Sequence, residues 1–302
     1  MPPVFFPKVD TPLYYLANTP LKLTENNMHN YKYMALSAKM VWMIKNEKQI
    51  SMVIPAYNEG KFLRQCLESL AKQTVMPYEV IVVNNNSTDD TAQVAGEFAF
   101  CTVIQEPRQG SSFACFTGFS RASGEVIGRI DADNILPPDW CEKMLASLER
   151  HQASAVVGVC TFYNVRCSKL FEIFHSMIYH RLQPAIAGTQ ILWGTNMGIT
   201  SAAWQSIEKE CVSLPQVDED ICISLLLGSR NQKIVWDKNL RLTTSFRQID
   251  MSFPQVKSYL RTWVANYVVV NELSKSRYIA LLEHALVGMA LVLGPIMKLF
   301  RK

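Results

Sequence analysis

From Ile50 onward the chain alternates continuous apolar runs with segments whose apolar residues recur every three or four positions. The first pattern is typical of strands buried on both faces, and the second of helices with one apolar face. The strand-like runs are ISMVIPAYN, EVIVVNNN, CTVIQE, EVIGRIDAD and ASAVVGVCTF, with helix-like segments such as KFLRQCLESLAKQ between them. This order predicts an α/β fold, in which helices cover both faces of a mostly parallel sheet.

The alternation weakens after about residue 165. An aromatic helix is predicted over 168–182, and a second helix follows the acidic residues of VDEDICISLLLG. Between them, ILWGTNMGIT is predicted to form a short strand and turn. KIVWD and RLTTSF read as two more strands, followed by a long helix from about residue 253 to 273.

The two ends of the chain differ from this middle part, which we assign to one domain over 49–250. Five prolines among the first twenty residues predict a poorly ordered arm over 1–48. The segment 251–302 is predicted to form membrane-associated helices. Its longest uncharged run has 14 residues, whereas a spanning helix needs roughly 20. A helix lying in the membrane interface is therefore favoured over a full span or a buried helix.

Composition narrows the classes of function. The net charge is +4 and the pI is about 8.5, without the concentrated lysine and arginine of a nucleic-acid-binding protein. A mild basic bias suits an anionic lipid surface or a phosphorylated substrate. The eight cysteines form no CxxC motif, which favours buried free thiols in a reducing cytosol. The N-terminus has no pattern of a secretory signal, so we expect a cytoplasmic protein.

Polar clusters follow three of the predicted strands. They are Tyr57-Asn58-Glu59, Asn84-Asn85-Asn86 and Asp131-Ala132-Asp133. Ligands of parallel sheets bind at the carboxyl ends of the strands, so these clusters are expected at a ligand-binding edge. Two aspartates this close repel each other unless a cation lies between them. Mg²⁺ or Mn²⁺ prefers carboxylates together with substrate phosphates, so we interpret the pair as a metal site, with a solvated turn as the alternative.

An ordered set of motifs resembles the family 2 glycosyltransferases, which have the GT-A fold. The motifs are VIPAYNE, VVNNNSTDDT, GEVIGRIDADNILPPDW, WGTNMGI and DED, and they extend over about residues 50 to 245. The resemblance implies a Rossmann-like nucleotide-binding half and an acceptor half. It also implies an inverting hexosyltransferase that moves one sugar from a nucleotide-sugar donor, with a UDP-sugar favoured and Mn²⁺ or Mg²⁺ as cofactor.

The resemblance also implies roles for individual residues. Asp220 matches the catalytic base, Asp133 the metal ligand of the DXD motif, and Asp131 a position near the ribose. The other matching residues belong to segments that contact the nucleotide, the donor sugar or the acceptor: Pro55, Ala56, Tyr57, Glu59, Asn85, Gly194, Thr195, Asn196 and Glu219. The family's usual Asp-Asp-Gly-Ser is Asn-Asn-Asn-Ser here. Because Asn85 can both donate and accept hydrogen bonds, base recognition is expected with an altered preference.

The chemistry of sugar transfer favours Asp220 independently of the resemblance. Inverting sugar transfer needs a carboxylate that takes the acceptor's proton while a metal holds the leaving diphosphate. Acidic residues at a helix start also serve as caps, which is the alternative for Asp220 and the expected role of Asp218. Arg247 is a further candidate for a diphosphate contact, with a plain surface position as its alternative.

We therefore expect a metal-dependent glycosyltransferase of cell-envelope polysaccharide synthesis. It would act on a glycan or lipid-linked acceptor at the inner face of the membrane, held there by its C-terminal segment. A non-catalytic membrane-bound scaffold of the same fold is the alternative, supported by the asparagines at 84–86. A sugar-phosphate nucleotidyltransferase is less favoured, since PAYNEGKF lacks a glycine-rich basic loop. Processive polysaccharide synthesis is also less favoured, because Arg261 and Trp263 lack the spacing from Gln255 that processive synthases show.

Overall fold

The described part of the chain forms one sheet with seven strands. The structure is a computed structural model, and it describes residues 49–165 and 168–247 together with the single positions 255 and 269. The strands are β1 (Ile50–Ala56), β2 (Glu79–Asn84), β3 (Cys101–Gln105), β4 (Val126–Ile130), β5 (Ala155–Phe162), β6 (Asn196–Thr200) and β7 (Ile234–Thr244). Their order across the sheet is β3-β2-β1-β4-β6-β5-β7.

The sheet is mostly parallel, as the sequence predicts. Strand β1 is parallel to β2 and β4, β2 is parallel to β3, and β5 is parallel to β7. Strand β6 runs antiparallel to both of its neighbours, β4 and β5. The prediction of two separate strands at KIVWD and RLTTSF is wrong, because both lie in the single strand β7. Its register with β5 shifts between Val157 and Val159, and this irregularity accommodates the polar residues between the two apolar runs.

Helices follow most of the strands, as the periodicity predicts. They are α1 (Gly60–Leu70), α2 (Thr91–Gly96), α3 (Ser111–Arg121), α4 (Trp140–His151), α5 (Ser168–Met177), α6 (Gln183–Ala187), α7 (Ser201–Ser213) and α8 (Glu219–Ser229). The single helix predicted over 168–182 instead ends at Met177 and continues as a π-helical turn, Ile178–Leu182. Pro184 has no N–H to bond the carbonyl four residues earlier, which favours a changed hydrogen-bond pattern before it.

Two apolar clusters make up the core, one on each face of the sheet. Met52 and Ile54 of β1 pack on one face with Leu63 and Leu67 of α1. Val53 points to the other face, where the cluster includes Phe119 of α3 and residues of α7 and α8. Alternate strand residues point to opposite faces. The continuous apolar runs are therefore explained by burial on both sides.

The strand directions bring several loops to one edge of the sheet. Ile130, the last residue of β4, pairs with Asn196, the first residue of antiparallel β6. The residues after β4 therefore lie beside the residues before β6. The ends of β1 and β2 reach the same edge, since both are parallel to β4. The polar clusters predicted from the sequence meet at this edge.

Several predictions concern residues that the structure does not describe. Outside the described residues lie the arm 1–48 and the segment 251–302, apart from positions 255 and 269. That segment includes the helix predicted over 253–273 and the pair Arg261 and Trp263. Among the described helices, none has the length and apolar character needed to cross a membrane. The seven cysteines of the described part are free thiols.

Candidate active site

A cavity of about 370 Å³ lies at this edge of the sheet, between the end of β4, the loop before β6 and the start of α8. It brings together five of the residues predicted for the site: Asp131, Gly194, Thr195, Glu219 and Asp220. Its lining also includes residues that the sequence argument did not select, among them Ser111, Arg129, Tyr179 and Trp193. Acidic, basic and aromatic groups therefore line one cavity that opens to solvent.

Asp220 lies in the first turn of α8. Its Oδ2 accepts a hydrogen bond of 3.0 Å from the backbone N–H of Gly194, and its Oδ1 accepts one of 2.8 Å from Ile221. Burial raises the pKa of Asp220 to about 7, and the neighbouring charges of Glu219 and Asp218 add to the shift. A carboxylate with a pKa near neutrality is suited to general-base catalysis. Asp218 occupies the N-cap position, as predicted, but its side chain makes no capping hydrogen bond to the helix.

Arg129 is a charged residue in the middle of an apolar strand, and sequence reasoning missed it. Its Nη1 donates to Asp131 Oδ1 and its Nη2 to Glu219 Oε1, both at 2.7 Å. Burial lowers the pKa of the Arg129 guanidinium, but the two carboxylates outweigh this and raise the pKa above its ordinary value. The signal was a single arginine in IGRI, two positions before Asp131 and therefore on the same side of the strand.

The loop before β6 completes the position of Asp131. The Thr195 hydroxyl donates to Asp131 Oδ2 at 2.5 Å, so both oxygens of this carboxylate are held. A Cβ atom on Gly194 would lie 2.6 Å from Arg129 Nη1, which explains why a residue without a side chain stands here. Gly194 and Thr195 therefore shape the cavity directly.

A second ionic cluster lies beside the cavity around Asp133. The guanidinium of Arg247 pairs with both oxygens of Glu59, at 2.6 and 2.9 Å, and with Asp133 at 3.0 Å. Burial raises the pKa of Glu59, and its contacts with Arg247 offset this only in part. Arg247, which we considered a diphosphate contact or a surface residue, is half-exposed and bridges two predicted site residues.

This cluster is compatible with a divalent cation. No group of three histidine, cysteine or acidic side chains in the described residues could hold a metal ion. However, the Arg247 guanidinium shows that the Asp133 and Glu59 carboxylates accommodate a positive charge between them. Mg²⁺ and Mn²⁺ bind through one or two carboxylates and complete their shell with phosphates and water. Asp133 and Glu59 therefore fit such an ion once a diphosphate is present.

Asn85 lies at the end of β2 and is buried. Its Nδ2 donates to the carbonyls of Glu106 and Arg108, and its Oδ1 accepts from the backbone N–H of Gly110. The side chain thus uses its donors and its acceptor to fix the loop 106–110. This arrangement makes Asn85 a residue that shapes the loop after β3.

Asn196 is fully buried and lies below the cavity rather than in its lining. Its Nδ2 donates to the carbonyls of Val159 and Leu240 at 3.0 and 3.1 Å, and its Oδ1 accepts from Trp140 Nε1 at 3.0 Å. These bonds join β6 to β5, β7 and α4. The structure therefore separates Asn196 from its neighbours Gly194 and Thr195, which line the cavity.

The predicted residues at the end of β1 take different positions. Pro55 and Ala56 belong to the strand, and the Ala56 carbonyl accepts from the backbone N–H of Asn85 at 2.9 Å. Tyr57 follows with half of its surface exposed. These residues border the same edge but do not line the cavity itself.

An aromatic group forms one wall of the cavity. Tyr179 and Trp193 both line it, with ring centroids 5.4 Å apart, and His175 packs 4.2 Å from Trp193. Burial lowers the pKa of His175 to about 3, so this ring is neutral near pH 7. The sequence showed only that the helix at 168–182 is rich in aromatics, because the direction of each ring depends on the fold.

Comparison with known proteins finds glycosyltransferases, in agreement with the resemblance seen in the sequence motifs. The model described as glycosyl transferase family 2 matches residues 51–204, about half of the chain. Glycosyltransferase GlyA of Streptococcus pneumoniae is 30% identical over 133 residues, which are 43% of this chain and 19% of that protein. The uncharacterized glycosyltransferase YibD of Escherichia coli is 27% identical over 202 residues, which are 64% of this chain and 56% of that protein. The chain thus spans 56% of YibD and much less of GlyA.

The fold is shared with solved structures. The mannosyltransferase PcManGT from Pyrobaculum calidifontis, in complex with GDP-Man and Mn²⁺, superposes with a TM-score of 0.59 at 18% identity. The match covers 83% of this chain and 72% of that one. At this identity the similarity shows a common fold.

Proposed function

The chain belongs to glycosyl transferase family 2 and has the GT-A fold, and we propose that it transfers one sugar, with inversion, from a nucleotide-sugar donor to an acceptor hydroxyl. One observation carries this proposal. Asp220, whose pKa is raised to about 7, lies in the same cavity as Asp131 of the DXD pair. A carboxylate that can accept a proton near neutral pH thus faces the place where the donor is expected.

The proposed reaction is a single displacement. The acceptor oxygen attacks the anomeric carbon on the face opposite the diphosphate, and the new bond forms as the bond from that carbon to the diphosphate oxygen breaks. Asp220 takes the acceptor's proton, and the nucleoside diphosphate leaves. The negative charge of neighbouring Glu219 raises the pKa of Asp220, and Arg129, which pairs with Glu219 at 2.7 Å, offsets part of this effect.

The remaining groups would bind the donor. Asp133 and Glu59 would hold Mn²⁺ or Mg²⁺, which when bound neutralises charge on the leaving diphosphate. Asp131, fixed by Arg129 and Thr195, would accept a hydrogen bond from a donor hydroxyl. Asn85 would act on the base indirectly, through the loop 106–110 that it holds.

We propose a UDP-sugar as the donor. Staphylococcus aureus TarS and the Mycobacterium tuberculosis glucosyl-3-phosphoglycerate synthase, both similar in fold to this chain, have been solved with UDP. PcManGT holds GDP-Man instead, so GDP is the competing nucleotide in any binding test.

The acceptor is proposed to be a glycan or lipid-linked sugar. Tyr179 and Trp193 offer flat apolar surfaces beside Asp220, and the apolar faces of sugar rings pack well against such rings. An acceptor hydroxyl lying over this wall would be within the same cavity as the proposed base.

We further propose that the enzyme works at the cytoplasmic face of a membrane, in cell-envelope polysaccharide synthesis. Three apolar residues of α5, Leu170, Ile173 and Met177, form a helical stripe and are each more than half exposed. Lys169 and Arg181 lie at its two ends. Apolar side chains flanked by cations are typical of a helix that rests on anionic lipid. The segment 251–302 would add a second attachment.

Nucleotide binding and turnover together test the enzyme proposal. Calorimetry would compare UDP and GDP, with and without Mn²⁺, and donor hydrolysis by water would report turnover without a known acceptor. We expect Asp220→Asn to bind UDP and Mn²⁺ like the wild type and to lose at least about 100-fold in turnover. Asp139→Asn, which changes another helix N-cap aspartate at the surface, should behave as the wild type.

Two outcomes would overturn the proposal. Turnover that survives in Asp220→Asn would remove Asp220 as the base. Binding of neither nucleotide by the folded protein would favour the non-catalytic scaffold with the same fold.

A further inference from the structure

Arg247 lies between two carboxylates, those of Glu59 and Asp133. Its Nη1 and Nη2 lie 2.6 and 2.9 Å from the two oxygens of Glu59, and Nη2 lies 3.0 Å from Asp133 Oδ2. Paired parallel contacts of this kind are the strongest form of the arginine–carboxylate interaction. The guanidinium therefore already supplies the positive charge that the two acids require.

The segment after β7 fixes this arrangement. Thr244 donates to Asp133 Oδ1 at 3.3 Å, and the Ser245 hydroxyl donates to Asp133 Oδ2. Thr243 pairs through its backbone with Ile135, two residues beyond Asp133. Asp133 is thus held on both oxygens by residues close to Arg247 in the chain.

The exposure of the three groups is uneven. The Asp133 side chain is only 6% exposed and the Glu59 side chain 12%, whereas the Arg247 side chain is 53% exposed. Arg247 can therefore regain full hydration by moving into solvent, while the acids stay in place, and the cost of its departure is the loss of its ion pairs with them. Once it left, two buried carboxylates would face each other with Asp131 nearby, and their repulsion would favour another cation.

We propose that Arg247 is a built-in cation that occupies the metal position in the nucleotide-free protein and leaves when metal and diphosphate bind together. A diphosphate offers the guanidinium alternative oxygen partners and offers the metal its remaining ligands. A metal ion alone offers the guanidinium no such partners, so Arg247 would compete with it for Glu59 and Asp133. The inference rests on the metal-dependent transfer proposed above and adds an order to it: metal enters with the donor.

Metal binding without nucleotide tests this directly. The free Mn²⁺ signal in electron paramagnetic resonance would give the Mn²⁺ affinity of the full chain. We expect Arg247→Ala to bind Mn²⁺ at least about tenfold more tightly than the wild type, because the competing cation is gone. Arg150→Ala is the matched control. Arg150 is 56% exposed and pairs at 2.7 Å with Asp237, which is 6% exposed, so its loss should leave Mn²⁺ affinity unchanged.

A second variant keeps the test informative if Arg247→Ala does not fold. Arg247→Lys retains the charge but loses the paired contacts, so its Mn²⁺ affinity should lie between those of the wild type and a neutral variant. Wild-type affinity in both variants, or tightening in Arg150→Ala as well, would overturn the proposal. Adding UDP separates the two hypotheses. Suppose that the wild type binds Mn²⁺ in the presence of UDP, and that Arg247→Ala has the wild-type Mn²⁺ affinity without UDP. The transferase proposal then stands and the proposed role of Arg247 is wrong.

Discussion

At the scale of single residues, Asp220 links the site to pH. The base that we propose, Asp220, would work only when deprotonated, and burial raises its pKa to about 7. Turnover should therefore increase as the pH rises through about 7 and level off above it. At pH 6 we expect about one tenth of the plateau rate, since one pH unit below the pKa leaves about that fraction ionised.

The measurement is kcat/KM for donor turnover from pH 5 to 9, with calorimetric nucleotide affinity over the same range as the control. If nucleotide affinity is constant and the rate still falls at low pH, the ionisation belongs to the chemical step. A rate that stays level from pH 5 to 9 would contradict the role of Asp220.

The buried ion cluster around Arg129 gives a prediction about stability. Arg129→Met keeps the volume of the side chain but leaves Asp131 and Glu219 without their shared partner. Losing one member of a buried ionic group costs about 3–5 kcal/mol, which urea denaturation would measure. Arg241→Met is the control, because the Arg241 side chain is 44% exposed beside Glu172 whereas that of Arg129 is 6% exposed, and the loss of Arg241 should cost about 1 kcal/mol or less. Equal losses in both variants would show that burial adds nothing at Arg129.

At the scale of elements, local periodicity predicted the strands and helices up to β5. Each of these depends on neighbours in sequence, such as the alternation of Met52, Val53 and Ile54 between the two faces. The direction of β6 and the continuity of β7 depend on distant pairings, such as that of Asn196 with Ile130. No periodic signal in the sequence carries that information.

The difference between local and distant contacts also explains which site residues could be selected from the sequence. Asp131 and the acids of α8 could be selected from the sequence because motifs are local, and all of them line the cavity. The contact from Arg129 to Glu219 joins positions ninety residues apart, so only the fold reveals it. Thr195 and Asn196 are adjacent in sequence, yet one faces the cavity and the other the core, because β6 begins between them.

At the scale of elements, we predict that the buried side chain of Asn196 stabilises the packing of β6 against β5, β7 and α4. Asn196→Ala would leave Trp140 Nε1 and the carbonyls of Val159 and Leu240 without this partner. Buried polar groups without a partner cost about 1–3 kcal/mol each, so for these three groups we expect a loss of at least about 3 kcal/mol in the free energy of unfolding. Denaturant titration measures it, with Asn239→Ala, at an exposed position of β7, as a control within about 0.5 kcal/mol of the wild type. Weaker nucleotide binding with unchanged stability would instead place Asn196 in the binding site.

At the scale of the whole molecule, the mild net charge of +4 gives little attraction to a membrane unless cations and apolar groups share one face. The α5 stripe between Lys169 and Arg181 meets that condition. The double variant Ile173→Asp/Met177→Asp should therefore reduce co-sedimentation with phosphatidylglycerol vesicles by at least about fivefold, since it removes apolar contact and adds repulsion. Met76→Asp/Val212→Asp is the matched control, because it changes two exposed apolar residues elsewhere. Wild-type binding by the α5 variant would assign membrane attachment to other residues, whereas equal binding to neutral phosphatidylcholine vesicles would remove the electrostatic part of the argument.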